Sequence, residues 1–308
     1  MGSGRFSPTD WASYSSSRGL HKASTTAAHI YKSSSMNDDL DPKKIKNGLR
    51  ESRDSADNPN STPIIVGLDV TGSMSRILEI MAKKGLKTLF EEIYNRKPVR
   101  DPHVLCAAIG DAYCDNSPLQ VSQFEADIRI AEQLEKLYLE GGGGGNDSEG
   151  YSLLHYFAAK HTSCDAVEKR NRKGYLFTVG DDGPTPKILV EHAQSVFGDT
   201  IGEDISGKQL LTMLTRNWEV FHLNVAEGGS YDSWVVDRWR ALLGERSLTL
   251  TDHTKMAEVI VSAIQVVEGS KADDVADSWD GSTAMVVHKA ISGLTSSASS
   301  DSQGLITL

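Results

Sequence analysis

The sequence has few cysteines, and their number and spacing argue against a disulfide framework. Three occur among 308 residues, at Cys106, Cys114 and Cys164, an odd number with no recognisable spacing. Small disulfide-stabilised domains carry paired cysteines in oxidising compartments, whereas unpaired cysteines are typical of reducing ones. A chain of this length also buries enough surface to fold without covalent cross-links. We therefore expect a cytoplasmic protein that folds around an ordinary hydrophobic core.

Long apolar runs are missing as well. The N-terminal stretch 1–19 is rich in serine and has no apolar segment of the kind that a signal peptide contains. No uninterrupted apolar run reaches the eighteen or so residues that a membrane-spanning helix needs. The sequence therefore predicts neither a signal peptide nor a membrane span.

Positive charge is scarce, and what there is has an uneven distribution. The formal net charge is −10, which disfavours a broad nucleic-acid surface because phosphate binding needs clustered cations. Residues 1–35 carry four basic residues against one acidic residue, which gives +3 there and −13 in the remainder. The chain thus divides into a basic N-terminal arm and an acidic body.

Residues 1–62 have the composition of an arm and a lead-in to a domain. Residues 1–35 are rich in serine and poor in aliphatic residues, so we expect them to be disordered in the isolated chain. The aromatic side chains along this arm could dock on a neighbouring subunit and join a homo-oligomer or a larger assembly; they are Phe6, Trp11, Tyr14 and Tyr31. The following stretch predicts a short helix near 42–51.

From residue 63 to residue 267 apolar strands alternate with amphipathic helices. Continuous apolar strands separated by helices are typical of a parallel sheet that is covered on both faces. We therefore predict an α/β fold, doubly wound, with a mostly parallel central sheet flanked by helices. Residues 268–308 form a separate C-terminal segment, with a helix at 282–293 and a polar tail. The predicted strands of the domain are 63–69, 103–111, 118–124, 174–180, 218–225 and 247–251.

The first strand ends in a group of oxygen-bearing side chains, Asp69, Thr71 and Ser73. Ligands of doubly wound sheets bind beyond the carboxyl ends of the strands, which is where this group lies. Hard divalent cations prefer oxygen ligands, and Mg²⁺ takes about six at roughly 2.0 to 2.1 Å. The group therefore predicts half of a metal site. Helix capping by Thr71 or Ser73 is an equally open interpretation.

Three further loops carry polar side chains at junctions between strands and helices. A run of five glycines precedes Asn146 and Ser148, which offer oxygen atoms at the start of a helix. The alternative interpretation of this loop is a flexible linker followed by a helix cap. The strand at 174–180 is followed by Asp181 and Asp182. The alternative interpretation of these two residues is a turn with an exposed pair of acids. Asp111 ends the second strand and either orients water bound to the metal or lies exposed. Because all of these loops follow the same pattern, we expect them at one edge of the sheet.

These motifs resemble the von Willebrand factor A domain family over residues 63–267. That family has a metal-ion-dependent adhesion site written Asp-x-Ser-x-Ser after its first strand, a Thr in a Gly-rich loop, and an Asp closing a later strand. Asp69, Thr71 and Ser73 match the first element, with Thr in place of the first Ser, and Asp181 matches the closing acid. No Thr follows the glycines, so Asn146 or Ser148 would supply that oxygen. The sequence of these motifs is most similar to that of intracellular members of the family from bacteria and their viruses.

The resemblance implies a non-enzymatic, adhesion-type module that depends on Mg²⁺, or on Mn²⁺ or Ca²⁺. The metal would keep one coordination position open for an acidic side chain of a partner protein. Asp111 and Asp182 would lie next to the ligands without binding the metal directly. No G-x-S-x-G, P-loop or H-E-x-x-H motif suggests catalysis. Two alternatives stay open: a metal-dependent phosphoryl-transfer enzyme with Asp69 as nucleophile, and a structural subunit with a vestigial metal site.

Overall fold

A six-stranded sheet forms the centre of the protein. The computed structural model describes residues 3–71, 74–140, 148–226 and 233–296. The strands of this sheet lie in the order β12-β11-β7-β2-β3-β4, and all neighbours are parallel except β3 and β4. The prediction of a doubly wound, mostly parallel sheet is therefore confirmed. The strands are β1 Arg50–Ser52, β2 Thr62–Asp69, β3 Pro102–Ile109, β4 Leu119–Val121, β5 Ser148–Glu149, β6 Thr162–Cys164, β7 Gly174–Gly180, β8 Gly183–Pro184, β9 Lys187–Ile188, β10 Ile205–Ser206, β11 Trp218–Val225 and β12 Ser247–Leu250.

Helices cover both faces of the sheet. They are α1 Pro8–Arg18, α2 Ala27–Ile30, α3 Ser75–Ile80, α4 Leu86–Arg96, α5 Arg129–Leu134, α6 Tyr151–Lys160, α7 Asp165–Arg170, α8 Val190–His192, α9 Gly207–Leu214, α10 Ser233–Leu243, α11 Met256–Val267, α12 Ala272–Asp277 and α13 Gly281–Ile291. A π-helical turn, Met81–Gly85, joins α3 to α4 into one continuous helix. Among the residues covered by the structure, no helix combines the length and the apolar character needed to cross a bilayer.

The strand residues contribute to two separate hydrophobic clusters. In β2 the side chains of Ile64, Val66 and Leu68 join one cluster, whereas Ile65 joins the other. This follows from the alternation of side chains along a strand, which sends neighbours to opposite faces. Every residue of β3 is buried, as expected for a strand that is covered on both faces.

The arm at the N-terminus is folded, and the expectation of disorder is wrong. Phe6 stacks on Phe90 of α4 with ring centroids 4.9 Å apart, and Trp11 in α1 is 5% exposed. The Tyr31 hydroxyl donates a hydrogen bond of 2.9 Å to the carbonyl of Leu78. Serine-rich composition predicted disorder, but a few large aromatic rings bury enough area to order the segment. These rings pack on their own chain, and assembly through the arm stays a prediction.

The lead-in at 42–51 also differs from the predicted helix. It forms two short 3₁₀ turns, Pro42–Lys44 and Lys46–Gly48, followed by β1, which pairs in parallel with β6. Asn47, inside the second turn, has φ of 61°, in the left-handed region that an α-helix cannot include. In the C-terminal segment, the predicted helix at 282–293 is present as α13, and α12 before it was not predicted.

Packing of the arm predicts a specific loss of stability. Replacement of Phe6 by alanine removes a buried ring, which in protein cores costs about 3 kcal/mol in free energy of unfolding. Urea denaturation of Phe6→Ala measures this loss. Ser16→Ala is the control, because Ser16 is exposed on α1 of the same arm. Equal stability of the two variants would contradict the docking of the arm on α4.

Candidate metal centre

The carboxyl ends of β2 and β7 bring three aspartates together. These strands are neighbours with Leu68 opposite Val179, so Asp69 at the end of β2 lies beside the chain that leaves β7. Asp181 and Asp182 follow β7 directly. One carboxylate oxygen from each of the three aspartates lies within 4.8 Å of the others. The predicted convergence of Asp69 and Asp181 is therefore present in the structure.

Asp69 is fully buried, and the hydrogen bonds that it accepts fix its position. Its Oδ1 accepts from the backbone amide of Thr71 at 2.9 Å and from the Thr71 hydroxyl at 2.6 Å. Its Oδ2 accepts from the hydroxyl of Tyr151 at 2.9 Å. The carboxylate plane is therefore held by the loop after β2 on one side and by the first residue of α6 on the other.

The environment of Asp69 disfavours its charged form. Burial raises its pKa to about 7, with a further contribution from the charge of Asp181, although hydrogen bonds from Thr71 and Tyr151 oppose the shift. A carboxylate in this situation is stabilised by a nearby cation.

Asp181 has a vacant acceptor. Its Oδ1 is buried and accepts no hydrogen bond from any residue that the structure describes. A buried carboxylate oxygen without a hydrogen-bond partner lowers the stability of the folded state. Asp182 is half-buried, and its backbone carbonyl accepts from the indole of Trp239 at 2.9 Å. Asp182 thus joins Asp181 in offering an oxygen within 4.8 Å of Asp69, whereas the sequence suggested a position outside the group of direct ligands.

Glu149 is a fourth buried acid at this edge of the sheet. The short strand β5 pairs in parallel with β8 and sets Glu149 opposite Pro184, just after Asp182. Its Oε2 is buried and has no hydrogen-bond partner among the described residues. Burial and, after it, the charges of four neighbouring aspartates, Asp69 first among them, together raise its pKa to about 9.

Asp111 lies at the same edge, as predicted. It is buried just after β3, and its Oδ1 accepts from the backbone amide of Tyr113 at 2.8 Å. The amide of Gly150, next to Glu149, donates to the carbonyl of Gly110 at 3.0 Å. This bond ties the loop that carries Glu149 to the loop that carries Asp111.

The remaining predicted ligands are covered unevenly. Ser73 and Asn146 lie outside the described residues, and of Ser148 the structure describes the backbone in β5. Thr71 is present, and its hydroxyl binds Asp69 rather than the first amides of α3, which begins without a side-chain cap. Helix capping by Thr71 is therefore not observed.

Sequence reasoning missed Tyr151 and gave Glu149 no role as a site residue. Tyr151 reaches Asp69 because Gly180, which ends β7, leaves room for its hydroxyl. A Cβ at Gly180 would collide with the Tyr151 hydroxyl and come within 3.1 Å of Asp69 Oδ2. The position of both residues just after the glycine run was the available signal, since that run precedes a helix that starts at the same edge.

The donor set suits a hard divalent cation. Carboxylate and hydroxyl oxygens converge, and no nitrogen or sulfur donor belongs to the group. The unpartnered Oδ1 of Asp181 and the raised pKa of Asp69 both identify negative charge that the described residues do not compensate. The residues present therefore fit Mg²⁺, Mn²⁺ or Ca²⁺.

An aromatic layer supports the site from below. The ring of Tyr151 packs edge-on against Trp239, with centroids 5.3 Å apart, and Trp239 stacks on His222 at 3.7 Å. His155 packs edge-on against the same indole at 6.3 Å. These rings hold Tyr151, and through it Asp69, in a rigid and dry environment.

No protein-family model matches the sequence, and a search of curated proteins finds no relative. Two crystal structures of the pilus adhesin SpaC from Lactobacillus rhamnosus GG, one in an open conformation, match 70% of this chain at 10% identity, with TM-scores of 0.45 and 0.47. A von Willebrand factor type A structure from Catenulispora acidiphila matches 69% at 14% identity and a TM-score of 0.37. The chain covers 31%, 32% and 44% of these structures, less than half of each.

The aromatic layer predicts a loss of stability in mild acid. Burial lowers the pKa of His155 from 6.5 to about 4, so this residue is neutral in the folded state. Its contribution is complete above pH 6.5 and is lost as the pH falls toward 4, because the unfolded chain binds the proton first. At pH 5 the loss from this residue is about 2 kcal/mol.

Urea denaturation of metal-free protein at pH 7 and pH 5 measures this effect. The free energy of unfolding should fall less between pH 7 and pH 5 in His155→Phe than in the wild type, and the difference should be about 2 kcal/mol. His21→Gln is the control because His21 is exposed in the arm. An equal decrease in all three proteins would show that His155 takes up its proton in the folded state.

Proposed function

We propose that this protein is a divalent-metal-dependent protein-binding module of the adhesion type. The observation that carries the proposal is the group of Asp69, Asp181 and Asp182 within 4.8 Å, with the Thr71 hydroxyl on Asp69. The motif that places these residues resembles the metal-ion-dependent adhesion site of von Willebrand factor A domains. In this proposal Asp69, Thr71, Ser73 and Asp181 hold Mg²⁺, and Asn146 or Ser148 supplies a further oxygen.

A binding role fits the surroundings of Asp69 better than a catalytic one. Both of its oxygens already accept hydrogen bonds, from Thr71 and Tyr151, which lowers their capacity to attack phosphorus. A bound cation polarises any carboxylate that completes its coordination, and this contact is stronger where water is excluded. The partner is therefore a protein that offers an acidic side chain, and the module serves in a larger assembly.

The charge of the site limits which aspartates bind the metal directly. Three direct carboxylates around a divalent cation would leave a net negative charge, which repels an acidic partner. Asp69 is buried, and Asp181 and Asp182 are both half-buried, but Oδ1 of Asp181 is itself buried and accepts no hydrogen bond from the described residues. We propose that Asp182 and Asp111 stay behind the ligands and orient bound water. The two neighbouring aspartates after β7 then have different tasks.

Metal binding is tested by thermal unfolding in EDTA and in millimolar Mg²⁺. A ligand at a hundred times its Kd stabilises the folded state by about 2.7 kcal/mol, so the wild type should melt higher with Mg²⁺. Asp69→Asn should lose this shift and still fold, because an amide oxygen can accept from Thr71. An unchanged melting temperature of the wild type would favour a vestigial site.

The two aspartates after β7 provide a matched pair for the partner. Asp181→Asn should weaken Mg²⁺ binding and, with it, metal-dependent capture of the partner from the native host. Asp182→Asn should retain Mg²⁺ binding and bind the partner as well as the wild type or better. Affinity capture with and without EDTA, followed by mass spectrometry, makes the measurement. Capture that is indifferent to EDTA and to Asp181→Asn would contradict the proposal.

A further inference from the structure

A basic cavity lies at the edge of the sheet opposite the carboxylates, where the parallel strands begin. It has a volume of about 480 Å³ and includes Thr62, the first residue of β2, and Lys173, which precedes β7. Among its described lining residues Glu268 is the one acid. The cations that line it are Lys97, Arg100, Arg170, Arg172 and Lys173. In a chain of net charge −10, this concentration of positive charge is unusual.

Three of these cations have carboxylate partners. Arg170 pairs with Asp54 at 2.7 Å, Arg172 with Glu268 at 2.5 Å, and Lys173 with Glu219 at 3.3 Å. The single acid of the cavity is thus engaged, and it also accepts a hydrogen bond from the Tyr175 hydroxyl.

The other two cations, Lys97 and Arg100, form no ion pair with any residue in the described part of the chain. Both side chains are exposed at the mouth of the cavity. Asp101, the acid next in sequence, is occupied by the backbone amide of Asn60, which donates to its Oδ2 at 2.9 Å. Two positive charges therefore lie at the cavity without a counter-ion among the residues that the structure describes.

Helix ends explain where the cations stand but not the cavity between them. Helices α4, α7 and α11 end at this edge, and a helix C-terminus carries about half a negative charge that attracts lysine and arginine. Each helix C-terminus explains why a lysine or arginine lies close to that helix. A cavity between several such cations is the arrangement expected of a binding site for an anion.

We propose that this cavity binds the phosphate group of a small phosphorylated molecule. A phosphate near neutral pH carries −1.5 to −2, which matches the two unpaired cations. Arginine recognises phosphate through its planar fork of donors, and Thr62 lines the same cavity. The volume lies within the range of small-molecule sites. The described lining residues include no aromatic ring, so recognition depends on the phosphate rather than on a stacked base.

Isothermal titration calorimetry with inorganic pyrophosphate tests the site. The buffer contains EDTA, so that chelation of a metal at the carboxylate site cannot contribute, and sodium chloride matches the ionic strength of the pyrophosphate. The wild type should bind, and the double variant Lys97→Gln/Arg100→Gln should bind at least tenfold more weakly. The control Lys208→Gln/Lys289→Gln removes the same charge from exposed positions outside the cavity and should bind like the wild type.

Two results would overturn the proposal. One is the absence of binding to the wild type at millimolar pyrophosphate. The other is equal weakening by the cavity variant and the control, which would show an effect of net charge alone. Circular dichroism confirms that each variant is folded, and Arg100→Gln alone replaces the double variant if that one does not fold. Because the metal is chelated throughout, the result is independent of the proposed adhesion function.

Discussion

Repulsion among buried carboxylates is the constraint around which this fold is arranged. The ends of β2 and β7 and the short strand β5 hold Asp69, Asp181 and Glu149 at one edge of the sheet, where Asp69 and Glu149 are buried and Asp181 is half-buried. A protein with only packing to satisfy would place apolar residues at these positions. The acids stay there because strand pairing fixes their backbones, and the raised pKa values of Asp69 and Glu149 indicate that the described residues do not compensate the charge of these two groups.

The charge distribution follows the direction of the helices. Because the strands are parallel, helices such as α3 and α6 begin at the edge where β2 and β7 end. Their N-termini carry partial positive charge, which moderates the repulsion among the acids. At the opposite edge helix C-termini meet lysines and arginines. One topological fact, the parallel sheet, thus accounts for an acidic edge and a basic edge on the same domain.

The strands could be predicted closely from the sequence, but the site only partly. Two predicted strands, 174–180 and 218–225, agree with β7 and β11 because buried parallel strands are continuous apolar runs. The sequence could also place Asp69 and Asp181 at one edge, since strand ends meet there. It could not predict Tyr151 on Asp69, which depends on the space left by Gly180 in a different strand. The prediction of disorder for the arm was wrong because composition reports only the average hydrophobicity of a segment. The arm is held instead by individual contacts, such as the stacking of Phe6 on Phe90 of α4.

The folded arm also contacts the helix that follows the loop of Asp69 and Thr71 at the acidic edge. Helix α3 follows the loop of Asp69 and Thr71, and the arm holds it by two bonds. The amide of Ala27 donates to Glu79 at 3.2 Å, and the Tyr31 hydroxyl donates to the carbonyl of Leu78. On its other side the loop continues from β2, which is central in the sheet. A site that is fixed at both ends loses little conformational entropy when it binds, so more of the contact energy remains as affinity.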